Sequence, residues 1–242
     1  MRKVNAVARN DLRLRLSRGN AVTLVTVYLS LLAVLALLSL PPDLGRLDDL
    51  RQEGLLLAFL VATTVVAVYL TTAAACGEIA IEGEKSVLDL AASPFPPEVV
   101  GRGKVLTSAV FAAFLLLLAT PFTVIVAGIR GEPLAAAARA AIVTIPMAAA
   151  LGGLAALTGA VFDSDFARSF VHWFMLLAVI VGAAALPPPW HLLSPVRMVV
   201  AAAREGLRWD VVTAAAGYTL LSLAAGAAIA RQVRRIRRAY GR

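Results

Sequence analysis

Few side chains in this chain can do chemistry, and their spacing excludes most of the reactions they would serve. A phosphate-binding loop needs Gly-x4-Gly-Lys-Ser/Thr, so that successive backbone N–H groups cradle the phosphates and the lysine reaches the outermost one. Gly77 and Gly83-Glu84-Lys85-Ser86 approach that composition, but the spacing is wrong and no lysine follows Gly83 directly. There is no Gly-x-Ser-x-Gly elbow for acyl transfer and no His-Glu-x-x-His helix for zinc-dependent hydrolysis. Cys76 is the only cysteine, which excludes an intrachain disulfide and a cysteine metal cluster. An intramembrane enzyme would need clustered His, Asp, Ser or Cys groups, so the chain is read as not itself an enzyme.

The polar groups that are concentrated lie in one run, Glu78 to Lys104, between two long apolar stretches. Ser86-Val87-Leu88-Asp89 fits a capping box, with a serine N-cap and a carboxylate three residues on. Ser93-Pro94 ends that helix after about two turns, because a proline disfavours helix in the residue before it. Val87, Leu88, Leu90 and Ala91 are its apolar residues, and Glu82, Glu84, Lys85 and Asp89 give it a charged exterior. Pro96-Pro97-Glu98 restarts a helix that runs through Gly101-Arg102-Gly103-Lys104 into the next apolar run. A short polar helix held between two membrane spans is a device for receiving force from a partner.

The elements that must hold this run are apolar helices. Of 242 residues 60% are hydrophobic and mean hydropathy is +0.82, outside the range of soluble globular chains. Crossing a bilayer as a helix takes about 20 apolar residues. Six segments meet or approach that: Ala21–Leu40, Leu55–Gly77, Val105–Ile129, Ala140–Phe162, Ser169–Leu186 and Val211–Ala230. The expected fold is all-α and polytopic, one transmembrane domain over 1–242.

The net charge of +8 follows the spans rather than a nucleic-acid surface. Arg2, Lys3, Arg9, Arg13, Arg15 and Arg18 precede the first span, and Arg231, Arg234, Arg235, Arg237, Arg238 and Arg242 follow the last. With Lys85, Arg102, Lys104 and Arg168 they put sixteen of the 23 basic residues on one side, which marks it as cytoplasmic and places both termini there. The tails then face anionic lipid headgroups. Residues 1–20 read as an interfacial helical lead-in whose apolar face Asp11 and Arg15 interrupt. Residues 231–242 read as a basic cytoplasmic tail.

Residues 187–210 read as an external helical segment before the last span. Ser194-Pro195 gives an N-cap followed by proline at the first helical position, and Gly206 a stop. Val196, Val199, Val200, Ala203 and Leu207 make one expected face, at or dipping into the outer membrane surface. Arg197, Arg204 and Arg208 make another, suited to lipid phosphates or to an anionic substrate. Ala148, Gly152, Ala156 and Ala160, and likewise Ser222, Gly226 and Ala230, repeat at the four-residue spacing that lets helices pack closely.

The run Glu82-Gly-Glu-Lys-Ser-Val-Leu-Asp-Leu-Ala-Ala-Ser-Pro-Phe95, then Glu98-Val-Val-Gly-Arg-Gly-Lys104, resembles the loop after the second span of ABC-2-type transporter permeases. The basic lead-in Asn10-Asp-Leu-Arg-Leu-Arg-Leu16, the six spans and the helical segment before the last one extend that likeness over the chain. Lys85-Ser86-Val87 departs from the Gly-Thr-Leu-like sequence common in the family but keeps the N-cap.

The resemblance implies a short cytoplasmic coupling helix, with Glu82, Glu84, Lys85, Ser86, Val87, Leu88, Asp89, Leu90, Ser93 and Pro94 docking on a separate ATP-binding subunit. It implies two copies of that subunit, a second copy of this or a related permease, and no cofactor bound by this chain, ATP and Mg being held by the partner. It also implies that the second and fifth spans line the path. Thr64, Val68, Thr71 and Ala75 share one helical face of the second, and His172 lies on the fifth. The same threonines can bond back to their own backbone, and His172 can equally be a buried, hydrogen-bonded histidine. The expectation is a permease subunit of an ATP-driven exporter in a bacterial inner membrane. A membrane anchor holding a soluble partner, without transport, stays as the alternative. Peptide, drug, glycolipid, lipid and ion all stay open as cargo.

Overall fold

The computed structural model describes residues 2–17, 19–38, 55–77, 95–130, 133–162 and 164–239. Among them the chain is helical and has no strand. In order come α1 (Arg2–Ser17), α2 (Gly19–Leu38), α3 (Leu55–Cys76), α4 (Pro97–Arg130), α5 (Leu134–Val161), α6 (Asp165–Leu177), α7 (Pro195–Arg204) and α8 (Trp209–Ala239). A π-helical turn, Ala178–Gly182, and a 3-10 turn, Ala183–Ala185, extend α6. Among the described residues five helices are long and apolar enough to cross a membrane: α3, α4, α5, α6 with its extension, and α8. The chain is thus a multi-pass helical protein by length and composition. The first expected span corresponds to α2, an apolar helix of 20 residues.

α5 is the hub, packing against α3, α4, α7 and α8. Its small residues make this possible within one chain. A Cβ on Gly152 would stand 2.6 Å from Ser108 on α4, one on Gly153 would stand 3.0 Å from Ala225 on α8, and one on Gly159 would stand 2.8 Å from the Cys76 carbonyl oxygen on α3. Of the repeat Ala148, Gly152, Ala156 and Ala160 only Gly152 makes one of these close approaches; Gly153 and Gly159, which make the other two, stand outside it. α4 and α5 continue through Pro121 and Pro146.

The buried face of α7 differs from the expected one. Pro195, Met198, Val199, Ala202 and Ala203 are buried, at the i, i+3, i+4, i+7, i+8 spacing of one helical face. Val196 and Val200 lie at its margins and Leu207 is exposed. The helix packs on α5 and α3, so the face that fits between two helices is buried, with Met198 beside Val199 at its centre in place of Val196 and Val200. Ser194 occupies the N-cap position, but its hydroxyl donates to the Ile180 carbonyl (2.8 Å) rather than to its own helix.

α1 also does more than lie on a surface. Val4, Val7, Ala8, Asp11 and Leu12 form its covered side, docked along the start of α4. Asp11 interrupts that apolar side because Lys104 waits opposite it.

Candidate functional site

The polar run is seen from its two ends. Glu82, Glu84, Lys85, Ser86, Val87, Leu88, Asp89, Leu90, Ser93 and Pro94, together with Glu78, lie outside the described residues. Gly77 and Phe95 border them.

At the leading end, α3 stops at Gly77, whose φ of 91° is the left-handed conformation that closes a helix C-terminus. Cys76 is buried, with its thiol 3.4 Å from the Thr158 hydroxyl and 3.9 Å from the Arg168 carbonyl oxygen. Arg168 is buried and pairs with the exposed carboxylate of Asp165 one turn earlier. Its guanidinium lies 3.7 Å from where a Gly77 side chain would begin, so a cation stands beside the C-terminus of α3, whose carbonyls attract it. Sequence reasoning placed Arg168 only as a charge on the cytoplasmic side. Ser164 sits at the N-cap of α6 but makes no side-chain cap bond, and Asp165 supplies the negative charge in the first turn.

At the trailing end, the chain is held by three helices. Arg237 donates to the Phe95 carbonyl oxygen (2.8 Å), and Arg234 pairs with Glu98 (3.5 Å). Val100, Ile229 and Val233 form a small buried cluster with Phe95, Ala156 and Leu157 against it. The two glycines of Gly101-Arg102-Gly103-Lys104 have separate purposes. A Cβ on Gly101 would overlap the Gly226 carbonyl oxygen on α8. A Cβ on Gly103 would stand 2.5 Å from Val7 on α1. Lys104 then donates to Asp11 at 2.6 Å, both side chains mostly buried. The first two turns of α4 are thereby pinned to α1 on one side and α8 on the other.

The expected path residues lie inside the packing of one chain. Thr64 is 3.2 Å from Thr144 on α5, whose own hydroxyl donates to the Ala140 carbonyl (2.7 Å), leaving Thr64 as the donor between them. Val68 and Thr71 are fully buried, Thr71 near Gly152, and Ala75 is half-buried. His172 is fully buried, but it meets α3 through Thr72, a residue outside that set. Its Nε2 lies 2.9 Å from the Thr72 oxygen, and that hydroxyl lies 2.9 Å from both the Val68 and Tyr69 carbonyls. With the hydroxyl proton given to a carbonyl, Nε2 is the donor. The Tyr69 ring stacks on His172 at 6.3 Å and 13°. The adjacent Thr71-Thr72 pair was the signal for this contact, since two neighbours on a helix face different ways.

Among the described residues, no three His, Cys, Asp or Glu side chains come together to hold a metal ion. The described residues that border the polar run are held by α1, α5 and α8 at its trailing end and lie beside Arg168 of α6 at its leading end.

No family model matches this chain, and no curated protein matches it in sequence.

Proposed function

We propose that this chain is the membrane-spanning permease subunit of an ATP-driven exporter of the ABC-2 type. It works in a bacterial inner membrane as a dimer with itself or a related permease. Two separate ATP-binding subunits hold ATP and Mg and hydrolyse the ATP. In this reading α2 completes six spans, and both termini and the polar segment 78–104 face the cytoplasm, where the short helix from Ser86 to Ser93 is the coupling helix.

The observation that carries the reading is the double fastening of the start of α4. Phe95 and Glu98 are tied to α8 through Arg237 and Arg234, and Lys104 is tied to α1 through Asp11. A push on the polar segment cannot be absorbed by a slack tether at its trailing end. It displaces α4, and with it the helices on either side, as a body, which is the movement that switching a cavity between two sides requires.

The test is co-expression with the ATP-binding subunit encoded beside this chain, followed by capture through a tag on this chain. A stoichiometric complex is expected. Capture of the folded chain without an ATPase would refute the reading.

One observation favours a second reading. Thr64, Val68, Thr71 and His172 are sealed within a single chain, as suits a membrane anchor or assembly subunit that holds a soluble partner without transporting anything. A solute-wide cavity between two copies argues for the permease, and a fully packed interface for the anchor.

A further inference from the structure

The basic residues that close the chain divide into two groups with different work. Near its end α8 turns Ile229 and Val233 into the protein, and Arg234 and Arg237 reach sideways to Glu98 and Phe95. Arg231, Arg235 and Arg238 lie on the opposite side. At about 100° per residue, these i, i+4, i+7 positions fall within roughly 60° of one another. All three are exposed, and no described residue bonds to them.

Their depth identifies the partner. α8 begins at Trp209, which is exposed and of the type that anchors a helix at a membrane surface. At about 1.5 Å per residue, Arg231 stands roughly 33 Å along the axis from Trp209, Arg235 about 39 Å and Arg238 about 44 Å. A bilayer's hydrocarbon core is about 30 Å thick, and about 40–45 Å with its headgroups. With each headgroup layer about 5–7 Å thick, Arg231 stands just past the hydrocarbon edge, and Arg235 and Arg238 at or beyond the outer edge of the headgroups. Their long side chains, tilted toward the helix N-terminus, reach back toward the phosphates. Neighbours on such a stripe are about 6 Å apart, close enough for two guanidinium groups to share one phosphate.

We propose that Arg231, Arg235 and Arg238 form a stripe that binds the phosphates of anionic membrane lipids. Held there, α8 presents its flanking Arg234 and Arg237 to residues 95–98. The proposal rests on α8 crossing a membrane and is independent of the transporter reading.

The experiment is native mass spectrometry of the purified full chain with phosphatidylglycerol or phosphatidylcholine added. The wild type is expected to retain phosphatidylglycerol preferentially. Each headgroup-level arginine contributes about fivefold, so R231Q/R235Q/R238Q is expected to lose at least about tenfold of that preference. R234Q/R237Q and the charge-conserving R231K/R235K/R238K are expected to keep most of it. The single variants R231Q, R235Q and R238Q give the same reading at smaller amplitude should the triple variant not fold. Unchanged phosphatidylglycerol retention in the folded triple variant or in all three single variants overturns the proposal. So does loss of a soluble protein partner from the triple variant with lipid retention intact, which would make the stripe a protein-binding surface.

Discussion

The two ends of the helix bundle are fastened by different means. At the end that carries the polar segment, the joints are mostly ionic or glycine-lined, around one small apolar cluster of Val100, Ile229 and Val233: Asp11 to Lys104, Arg234 to Glu98, Arg237 to the Phe95 carbonyl, and the crossings at Gly101 and Gly103. At the end that carries α7, the joints are buried apolar surface and hydrogen bonds to carbonyls. Met198, Val199 and Ala202 are fully enclosed, Ser194 donates to Ile180, Tyr218 to Leu193, and Arg139 to Ala203 at 3.1 Å. A close-packed apolar joint holds one arrangement and resists sliding. Of the two interhelical ion pairs named at the polar end, the exposed Arg234–Glu98 pair can exchange partners with water at little net free energy, whereas the mostly buried Asp11–Lys104 pair holds α1 on α4. In the proposed reading the α7 end is the fixed frame, and the polar end is where the ATP-binding partner acts on the helices.

The sharpest break in this contrast is at Gly101. Gly101→Val places side-chain atoms into the Gly226 carbonyl and forces α4 away from α8. It is expected to destabilise the protein by at least about 3 kcal/mol, read as a lower unfolding temperature or loss of monodisperse material. Gly217→Ala, at a position with nothing within 4 Å, is the control expected to be neutral or slightly stabilising.

Next is Met198→Ala, which opens a cavity in the fixed frame and is expected to cost about 2–4 kcal/mol. By the contrast drawn above it should leave any response to an ATPase intact in the protein that remains folded. Reduced ATPase stimulation at unchanged complex recovery would place α7 in the moving part.

Third is the pair Asp11 and Lys104. Asp11→Asn and Lys104→Ala are each expected to cost about 1–3 kcal/mol, since each removes one charge of a mostly buried ion pair. The double variant should cost less than the sum, a coupling that a double-mutant cycle in thermal unfolding measures. Strict additivity would mean that the pair holds nothing. The smallest effect is expected from Arg139→Gln, about 0.5–1 kcal/mol, through the loss of a cation at the C-terminus of α7.

The spanning helices were largely legible in the sequence because each is a long apolar run. α4 begins at Pro97, as Pro96-Pro97-Glu98 foretells, and α7 begins behind Ser194-Pro195. Which face each helix buries was less legible. An amphipathic pattern read against water misleads for α7, which packs between helices, so Met198 and Ala202 outrank Val196 and Val200. The fastening of the polar run was hardest to see. Arg237 and Phe95 are 142 residues apart and Asp11 and Lys104 are 93 apart, and no local spacing rule links them. Asp11 was visible only as a flaw in the face of α1, and the flaw marks the ion pair. His172 stood out as an ionisable group in a span, but its partner could not be named until α3 and α6 were placed together.

The most direct test of the central claim is the ATPase rate and transport of the reconstituted complex carrying Glu84→Lys and Asp89→Lys, singly and together. If force enters through the polar segment, the complex assembles, the membrane subunit keeps its unfolding temperature, and stimulated ATPase falls several-fold with transport. Transport unchanged from wild type in both single variants would contradict it, because the polar segment would then not be where force enters.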